Sequence, residues 1–199
     1  AGRGPLAGPV TAAAVVLTSD FPREELADSK RLSAKRRGEL EVFIKQGSAY
    51  WGVGWASHRE IDKINILQAS HLAMCRAVQS LLREAIFRSS NLNSVAELDA
   101  SILHAVVDGS ITPTLPISAE CLIKADATVP EVMASSILAK EARDRWMIAY
   151  GRIEPRYEFH RHKGYPTPQH RSLINRHGPS AIHRHSFASR SATFLFDAP

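Results

Sequence analysis

Two aspartates each close a short apolar run and could bind divalent cations. Asp108 ends the strand-like run in ILHAVVDG, and Asp126 ends ECLIKAD. In open α/β sheets, ligands usually bind at the edge where the C-terminal ends of the strands lie. Two carboxylates that meet there would suit Mg²⁺, which prefers oxygen ligands and carries substrate phosphates with it. Each aspartate also has a plainer interpretation, Asp108 as an Asp-Gly hairpin turn and Asp126 as a helix cap or loop residue.

Two glycine-containing segments could approach a nucleic-acid backbone. Gly2 and Gly4 flank Arg3, and their missing Cβ atoms would let a bulky polymer come close to the main-chain N–H groups. In HKGYPTPQH, Tyr165 stands beside Lys163 just before a predicted helix N-terminus. The ring could stack on a sugar or base while the cations hold the phosphates. The alternatives are a frayed terminus or turn for the first segment and a tyrosine packed under a loop for the second.

Positive charge is concentrated in residues 151–190, which we call the basic segment. The whole chain of 199 residues has a formal net charge of +5, whereas this segment alone has eight Arg or Lys against two Glu, and six of the nine histidines. Such a segment is typical of a protein that binds a phosphate backbone, although a solvated basic surface would look the same. The histidines lack zinc-ligand spacing, and His183 and His185 are interpreted as phosphate or structural contacts. The cations are Arg152, Arg156, Arg161, Lys163, Arg171, Arg176, Arg184 and Arg190.

The composition is that of an ordinary globular domain, with 44% hydrophobic and 23% charged residues. Collagen-like, low-complexity and largely disordered proteins are therefore excluded. No apolar run approaches the roughly 20 residues that a membrane span needs, and no basic region precedes the first apolar run. Cys75 and Cys121 have no CxxC spacing, so we expect reduced thiols and a cytoplasmic location.

Strand and helix patterns alternate along the chain and predict a mixed α/β domain with helices packed on a sheet. Ser33 is the predicted N-cap of one helix and Gly47 lies just past its end, whereas Thr167 and Gly178 bound the last helix. The basic segment is expected to lie on one face of the sheet and not to form an independent domain. The predicted strands are PVTAAAVVLTS, AYWGVGWAS, ILHAVVDG and ECLIKAD, and the predicted helices are SAKRRGELEVFIKQG, residues 61–87, PEVMASSILAKEARDRWMIAY and PQHRSLINRHG.

Seven segments together resemble, in order and spacing, the bacterial type 2 ribonuclease H family (ribonuclease HII). The resemblance extends from Ala1 to about Ala188, and the Gly-Arg-Gly at residues 2–4 is specific to this type, because type 3 relatives carry a lysine there. It implies a ribonuclease H-like mixed β-sheet flanked by helices in residues 1–150, with a basic helical region in 151–199 packed on it in the same domain. The segments are AGRGPLAGPV, DSKRLS, IDKINILQASHLAM, VVDG, KADATVPEVMASSILAKEARDRWM, HKGYPTPQH and GPSAIHRHSFA.

The resemblance also implies an activity and residue roles. The family hydrolyses the RNA strand of RNA/DNA hybrids and cuts 5′ of single ribonucleotides in duplex DNA, with Mg²⁺ or Mn²⁺ and two-metal-ion catalysis. Asp108 matches a metal-ligand aspartate and Asp126 the fourth acidic residue of the catalytic site. The Gly-Arg-Gly loop matches the loop that senses the ribose 2′-hydroxyl through main-chain groups, and Tyr165 matches the tyrosine that stacks on the neighbouring sugar. The residues expected to bind substrate are Gly2, Arg3, Gly4, Ser29, Lys30, Lys163 and Tyr165.

One departure from the family bears on activity. The family's motif begins with an Asp-Glu pair directly before the alanine that matches Ala1, and the 199 residues contain neither that pair nor its strand. We expect the natural polypeptide to extend further towards the N-terminus, and this chain to bind metal poorly and to cut slowly or not at all. The alternative is a non-catalytic or inactivated binder of hybrid duplexes that keeps Arg3, Tyr165 and the basic segment. In either case the expected partners are RNA/DNA hybrids and ribonucleotide-containing DNA, with no membrane, and we expect a monomer.

Overall fold

A computed structural model describes residues 1–26, 33–88 and 103–188. Within these ranges the chain contains both strands and helices, as the sequence predicts for a mixed α/β protein. The strands are β1 (Val10–Leu17), β2 (Ser48–Ala56), β3 (His104–Asp108) and β4 (Ser118–Leu122), and the α-helices are α1 (Ala34–Gly47), α2 (His58–Arg88), α3 (Pro130–Ile153), α4 (Phe159–His162), α5 (Pro168–His177) and α6 (His185–Ala188).

The described strands form two pairs. β1 is hydrogen-bonded to β2, and β3 is hydrogen-bonded to β4. The second pair is parallel, with His104 opposite Ser118 and Asp108 opposite Leu122. A parallel pair cannot be closed by a two-residue turn. The interpretation of Asp108 as a hairpin turn residue is therefore wrong, and Asp108 is the last residue of its strand.

The chain folds into two compact units, each with its own apolar core. The first unit is built from Ala1, Thr11–Trp55 and His71–Ala142, and the second from Gly2–Val10, Ala56–Ser70 and Arg143–Pro199. The predicted division at residue 150 stays a prediction. Buried in the core of the first unit are Leu17, Phe21, Leu26, Leu40, Ile44, Ala134, Ile137 and Leu138, and in that of the second Ala7, Met147, Tyr157, Phe159 and Ile182.

Helix α1 begins where the sequence predicts and ends one residue later. The Ser33 hydroxyl accepts a hydrogen bond from the backbone N–H of Arg36 at 3.2 Å, which confirms the predicted N-cap. Gly47, however, is the last helical residue, and Ser48 is the C-cap and the first residue of β2. A Cβ atom on Gly47 would lie 2.7 Å from the ring of Phe21. Close packing, not helix termination, therefore explains this glycine.

Helix α2 is longer than predicted and is kinked. It begins after a capping box, in which the Ser57 hydroxyl accepts from the N–H of Glu60 at 3.2 Å and the Glu60 carboxylate accepts from the N–H of Ser57 at 2.8 Å. Asn65 then interrupts the helix with φ 67° and ψ 167°, and its Oδ1 accepts from the N–H groups of Leu67 at 2.9 Å and Gln68 at 3.1 Å. Asn65 thus acts as a second N-cap inside the helix. No helix in the described ranges is both long and apolar enough to cross a membrane.

Strand β2 packs very closely on α2 in the first unit. A Cβ atom on Gly54 would lie 2.1 Å from the carbonyl oxygen of Ala73 and 2.3 Å from the amide nitrogen of Ala77. Side chains never come this close to backbone atoms, so only glycine fits at this position. The glycines of AYWGVGWAS therefore let a strand backbone lie directly on a helix backbone.

Candidate functional site

The two candidate metal-binding aspartates lie at one edge of the β3–β4 pair. Asp108 is exposed at the end of β3, where the N–H of Gly109 donates to the carbonyl of Leu122 at 3.3 Å. After β4 the chain makes a 3₁₀ turn, Ala125–Ala127, that carries Asp126 and contacts β3. Asp126 lies inside this turn, four residues before the first residue of α3, and not at the position directly before that helix. The predicted position at a strand end is confirmed for Asp108, whereas the strand predicted to end at Asp126 ends at Leu122, and Asp126 lies in the turn that follows.

The donor set at this edge fits a hard divalent cation. Carboxylate oxygens are the ligands that Mg²⁺ prefers, and protein sites often supply only one or two of them and leave the remaining positions to water and substrate phosphates. Ala125 is fully buried and anchors the turn, whereas Asp126 beside it is half-buried. Within the described part of the chain, no group of three or more His, Cys, Asp or Glu is arranged to hold a metal ion. Asp108 and Asp126 stay the candidate ligands among the described residues.

The Gly-Arg-Gly loop belongs to the second unit, and its first glycine is required by close packing. Gly2 is buried with φ 85°, and a Cβ atom there would lie 2.2 Å from Nε of Arg143. Arg3 and Gly4 are exposed. A Cβ atom on Gly4 would lie 4.0 Å from the Tyr165 ring, so this residue brings the loop next to the second predicted substrate contact. The segment is thus neither frayed nor a simple turn.

The side chain of Arg184 donates hydrogen bonds to carbonyl groups of this loop. Its side chain is only 1% exposed. Its Nη2 donates to the carbonyl of Gly2 at 2.8 Å and its Nη1 to that of Arg3 at 3.2 Å. The same guanidinium reaches the carbonyls of Gly8 at 2.9 Å and Pro9 at 3.1 Å. Arg184 is thus a cation of the basic segment whose charge is buried, so it binds the loop and not a phosphate backbone.

Arg143 joins the Gly-Arg-Gly segment to the Tyr165 loop. It is also 1% exposed, and it donates to the carbonyls of Pro9 at 2.9 Å, Ala7 at 3.1 Å and Lys163 at 3.0 Å. Its guanidinium carbon lies 5.8 Å from the centre of the Tyr165 ring. One buried cation thus connects the chain that follows the Gly-Arg-Gly loop with the Tyr165 loop.

The backbone of the Tyr165 loop is fixed by a positive-φ pair. Lys163 has φ 52° and Gly164 has φ 82°, and the carbonyl of Gly164 accepts from the N–H of Leu6 at 2.8 Å. A Cβ atom on Gly164 would lie 2.7 Å from the carbonyl oxygen of Ala7. Tyr165 remains 38% exposed, so the interpretation as a tyrosine packed under a loop is wrong. The ammonium of Lys163 donates to backbone carbonyls at the end of α4.

Three buried histidines support the Tyr165 loop. Nε2 of His162 donates to the carbonyl of Tyr157 at 2.8 Å, and its Nδ1 accepts from the N–H of Gly164 at 3.2 Å. Nδ1 of His170 donates to the carbonyl of Tyr165 at 2.9 Å, which leaves its Nε2 to accept from Nε2 of His183 at 3.1 Å. These tautomers are assigned from the backbone partners, each of which can act in only one sense.

The histidine network is neutral near pH 7. Burial, followed by the charge of His162, lowers the pKa of His170 to about 3. Burial lowers the pKa of His183 to about 4, and its Nδ1 accepts from the N–H of Ser180 at 2.7 Å. His183 is thus a structural residue, one of the two roles expected for it. His185 contacts the protein through its backbone N–H, which donates to Asp62 at 3.0 Å.

The sequence analysis singled out exposed candidate residues such as Arg3 and Tyr165, but it missed the two buried arginines that support them. Arg143 and Arg184 gave no periodic signal, because an arginine in a charged stretch is normally expected at the surface. Their only trace was membership in two of the motifs that carry the family resemblance. Ser29, Lys30 and Arg190 lie outside the described residues.

Sequence comparisons with known proteins identify the family, and structural comparisons identify the fold. The ribonuclease HII family model matches residues 1–190. A ribonuclease HII from Treponema denticola is 49% identical over 191 residues, which cover 94% of each chain. Among solved structures, the PCNA:RNase HII complex from Archaeoglobus fulgidus matches with a TM-score of 0.64 at 23% identity, covering 99% of this chain and 96% of that one. Bst-RNase HIII in complex with Mn²⁺ matches with a TM-score of 0.66 at 15% identity, covering 96% of this chain and 66% of that one.

The two structural matches confirm the ribonuclease H-like fold, and the identity to the curated relative extends over almost the whole chain. The chain therefore belongs to the ribonuclease HII family and is a metal-dependent ribonuclease H of type 2.

Proposed function

We propose that this enzyme cuts the phosphodiester 5′ of a ribonucleotide in duplex DNA, and within the RNA strand of RNA/DNA hybrids, by two-metal-ion catalysis with Mg²⁺ or Mn²⁺. One observation carries the proposal: the exposed Gly4 of the Gly-Arg-Gly loop lies beside the exposed ring of Tyr165, and the buried Arg143 binds both Pro9, downstream of the loop, and the carbonyl of Lys163. Recognition of one sugar in a duplex requires a protein backbone that the sugar can approach closely and, next to it, a ring on which the neighbouring sugar can stack.

The residues have separate tasks in this reaction. Asp108 and Asp126 would hold the divalent ions at the edge of the β3–β4 pair. When bound, the ions supply activation of the attacking water and neutralise charge on the leaving 3′ oxygen. The Gly-Arg-Gly loop recognises the 2′-hydroxyl, and the Tyr165 ring stacks on the adjacent deoxyribose. Lys163, together with Ser29 and Lys30, would contact phosphates.

The test is cleavage of a DNA duplex that contains one ribonucleotide, with Mg²⁺ and then with Mn²⁺. Metal-dependent cutting 5′ of the ribonucleotide, abolished in Asp108→Asn, supports the proposal. Glu120→Gln is a matched control, because Glu120 is an exposed carboxylate on β4 that pairs with His104 at 3.5 Å and not a metal ligand. This variant should retain the wild-type rate.

Binding at low salt separates catalysis from recognition. Asp108→Asn should bind the duplex as tightly as the wild type, because the phosphate contacts are unchanged. Equal loss of binding and cutting would argue for a structural role of Asp108. Retained binding without cutting by the wild type, under both metals, would instead support the non-catalytic hybrid binder.

A further inference from the structure

The Gly-Arg-Gly loop, here called the recognition loop, presents its backbone N–H groups on one side and its carbonyl groups on the other. Among the residues that the structure describes, the backbone N–H groups of Gly2, Arg3 and Gly4 donate to no protein acceptor. The carbonyls of Gly2 and Arg3, by contrast, both accept from the guanidinium of Arg184. Arg3 and Gly4 are exposed, so their N–H groups can donate to solvent or to a ligand.

Peptide planarity links these two observations. The described chain has no cis peptide bond, so each carbonyl points opposite to the N–H of the next residue. Arg184 turns the carbonyl of Gly2 inward, which turns the N–H of Arg3 outward. It turns the carbonyl of Arg3 inward in the same way, which turns the N–H of Gly4 outward. The directions of the two exposed donors are thus set from inside the protein.

The charge of Arg184 also makes these donors stronger. In the described ranges neither Arg184 nor Arg143 has a carboxylate oxygen within 4.0 Å. Burial, followed by the charge of Arg143, lowers the pKa of Arg184 to about 9, which leaves it charged near pH 7. A cation that binds a carbonyl polarises the peptide group, and a polarised peptide donates more strongly through its N–H.

We infer that Arg184 is the positioning residue for ribose recognition: it aims the N–H groups of Arg3 and Gly4 at the 2′-hydroxyl without touching the substrate. This inference rests on the proposed function. It assigns sugar selectivity to a buried side chain and to the backbone, and it leaves to the Arg3 side chain only a contact to phosphate.

The test measures selectivity by binding in the absence of divalent metal. Fluorescence anisotropy gives the affinity for a DNA duplex with one ribonucleotide and for the same duplex without it. In Arg184→Lys the ratio of the two affinities should fall by about tenfold, because a single ammonium cannot replace the guanidinium fork and the aimed N–H bonds are lost. Affinity for the all-DNA duplex should change less than about twofold, since the phosphate contacts remain.

Two controls isolate the effect. Arg76 is a partly buried arginine of the first unit that donates to the carbonyl of Trp55 at 2.7 Å, so Arg76→Lys makes the same chemical change away from the loop. It should leave the ratio unchanged. Arg3→Ala removes a side chain but keeps its N–H, and it should weaken both duplexes to a similar extent.

The outcomes separate the inference from the proposed function. A wild-type protein that binds both duplexes equally overturns both. If the wild type prefers the ribonucleotide-containing duplex and Arg184→Lys keeps the same affinity ratio, only the inference is overturned. The inference alone is also overturned if Arg184→Lys loses affinity for both duplexes to the same extent. If Arg184→Lys does not fold, ¹⁵N amide shifts of the wild-type protein decide: Arg3 and Gly4 must shift with the ribonucleotide duplex and not with the all-DNA duplex, or the inference is wrong.

Discussion

Acid should unfold this protein through its buried histidines. In the neutral network, Nε2 of His170 accepts the hydrogen bond that Nε2 of His183 donates. Protonating His170 would place two N–H groups against each other in a buried site. The folded protein therefore resists protonation at both rings, with the pKa of His170 at about 3 and that of His183 at about 4, against 6.5 for an ordinary histidine.

The size of the effect follows from the difference in proton binding. Between about pH 6.5 and pH 4 the unfolded chain binds protons that the folded protein does not, so the free energy of unfolding falls as the pH falls. At about pH 5 each histidine is about 1.5 units below its unfolded pKa, which corresponds to about 2 kcal/mol. The two histidines together should cost about 4 kcal/mol, a large part of the 5–15 kcal/mol typical of domain stability. The loss levels off only below about pH 3.

Urea unfolding followed by circular dichroism at several pH values measures this effect. The wild type should lose about 1.2 kcal/mol per pH unit for each histidine near pH 5.5. His183→Asn should keep an acceptor for the N–H of Ser180. It should reduce that slope by the contribution of one histidine, about 1.2 kcal/mol per pH unit. His104→Asn, at an exposed position of β3, should leave the slope unchanged. A wild-type slope near zero, or one that His183→Asn does not reduce, would refute the neutral network.

Five further substitutions have expected results of known sign. Gly54→Ala should lower the free energy of unfolding by about 2–3 kcal/mol, because its Cβ would meet helix backbone, whereas Gly38→Ala, with nothing within 4 Å of its Cβ, should raise it by about 0.5–1 kcal/mol. Equal effects of the two would contradict the packing argument. Ser33→Ala should cost about 1 kcal/mol through the lost N-cap, measured by the same urea titration, and no loss would mean that solvent caps α1 equally well. Tyr165→Ala should slow cleavage at a single ribonucleotide more than within a long RNA strand, while Tyr165→Phe should not; equal losses on both substrates would count against stacking.

Local signals predicted most of the secondary structure. Ser33 and Thr167 cap their helices through hydrogen bonds to N–H groups three residues later, and the N–H of Gly178 donates to the carbonyl of Ile174. Such bonds depend on neighbours in the sequence, so residue type and spacing reveal them. Asn65 lies in a periodic apolar pattern, and the pattern gave no sign of its positive φ.

The candidate site was predictable only where its residues face solvent. Asp108 ends an apolar run, and a run that ends in an aspartate can be recognised from the sequence. Most carbonyls that accept from the guanidinium groups of Arg143 and Arg184 lie more than 100 residues away along the chain, and the carbonyl of Lys163, 20 residues from Arg143, is the exception. Every residue type has the same backbone carbonyl, so the pattern of side chains in a sequence does not indicate which carbonyl will bind a distant arginine. The contact between the N–H of Leu6 and the carbonyl of Gly164 was hidden for the same reason.

Anchoring by carbonyls makes the recognition loop tolerant of sequence change. Arg143 and Arg184 bind main-chain oxygens, which every residue type provides, so their hold does not depend on the exposed side chain at position 3. Gly2 and Gly8 are exceptions, because a Cβ atom at either would collide with a buried side chain. Exchange of Arg3 for the lysine of the type 3 relatives would therefore alter one contact and leave the path of the peptide unchanged. The exposed side chain at position 3 can therefore vary while the backbone that presents its N–H groups keeps its path.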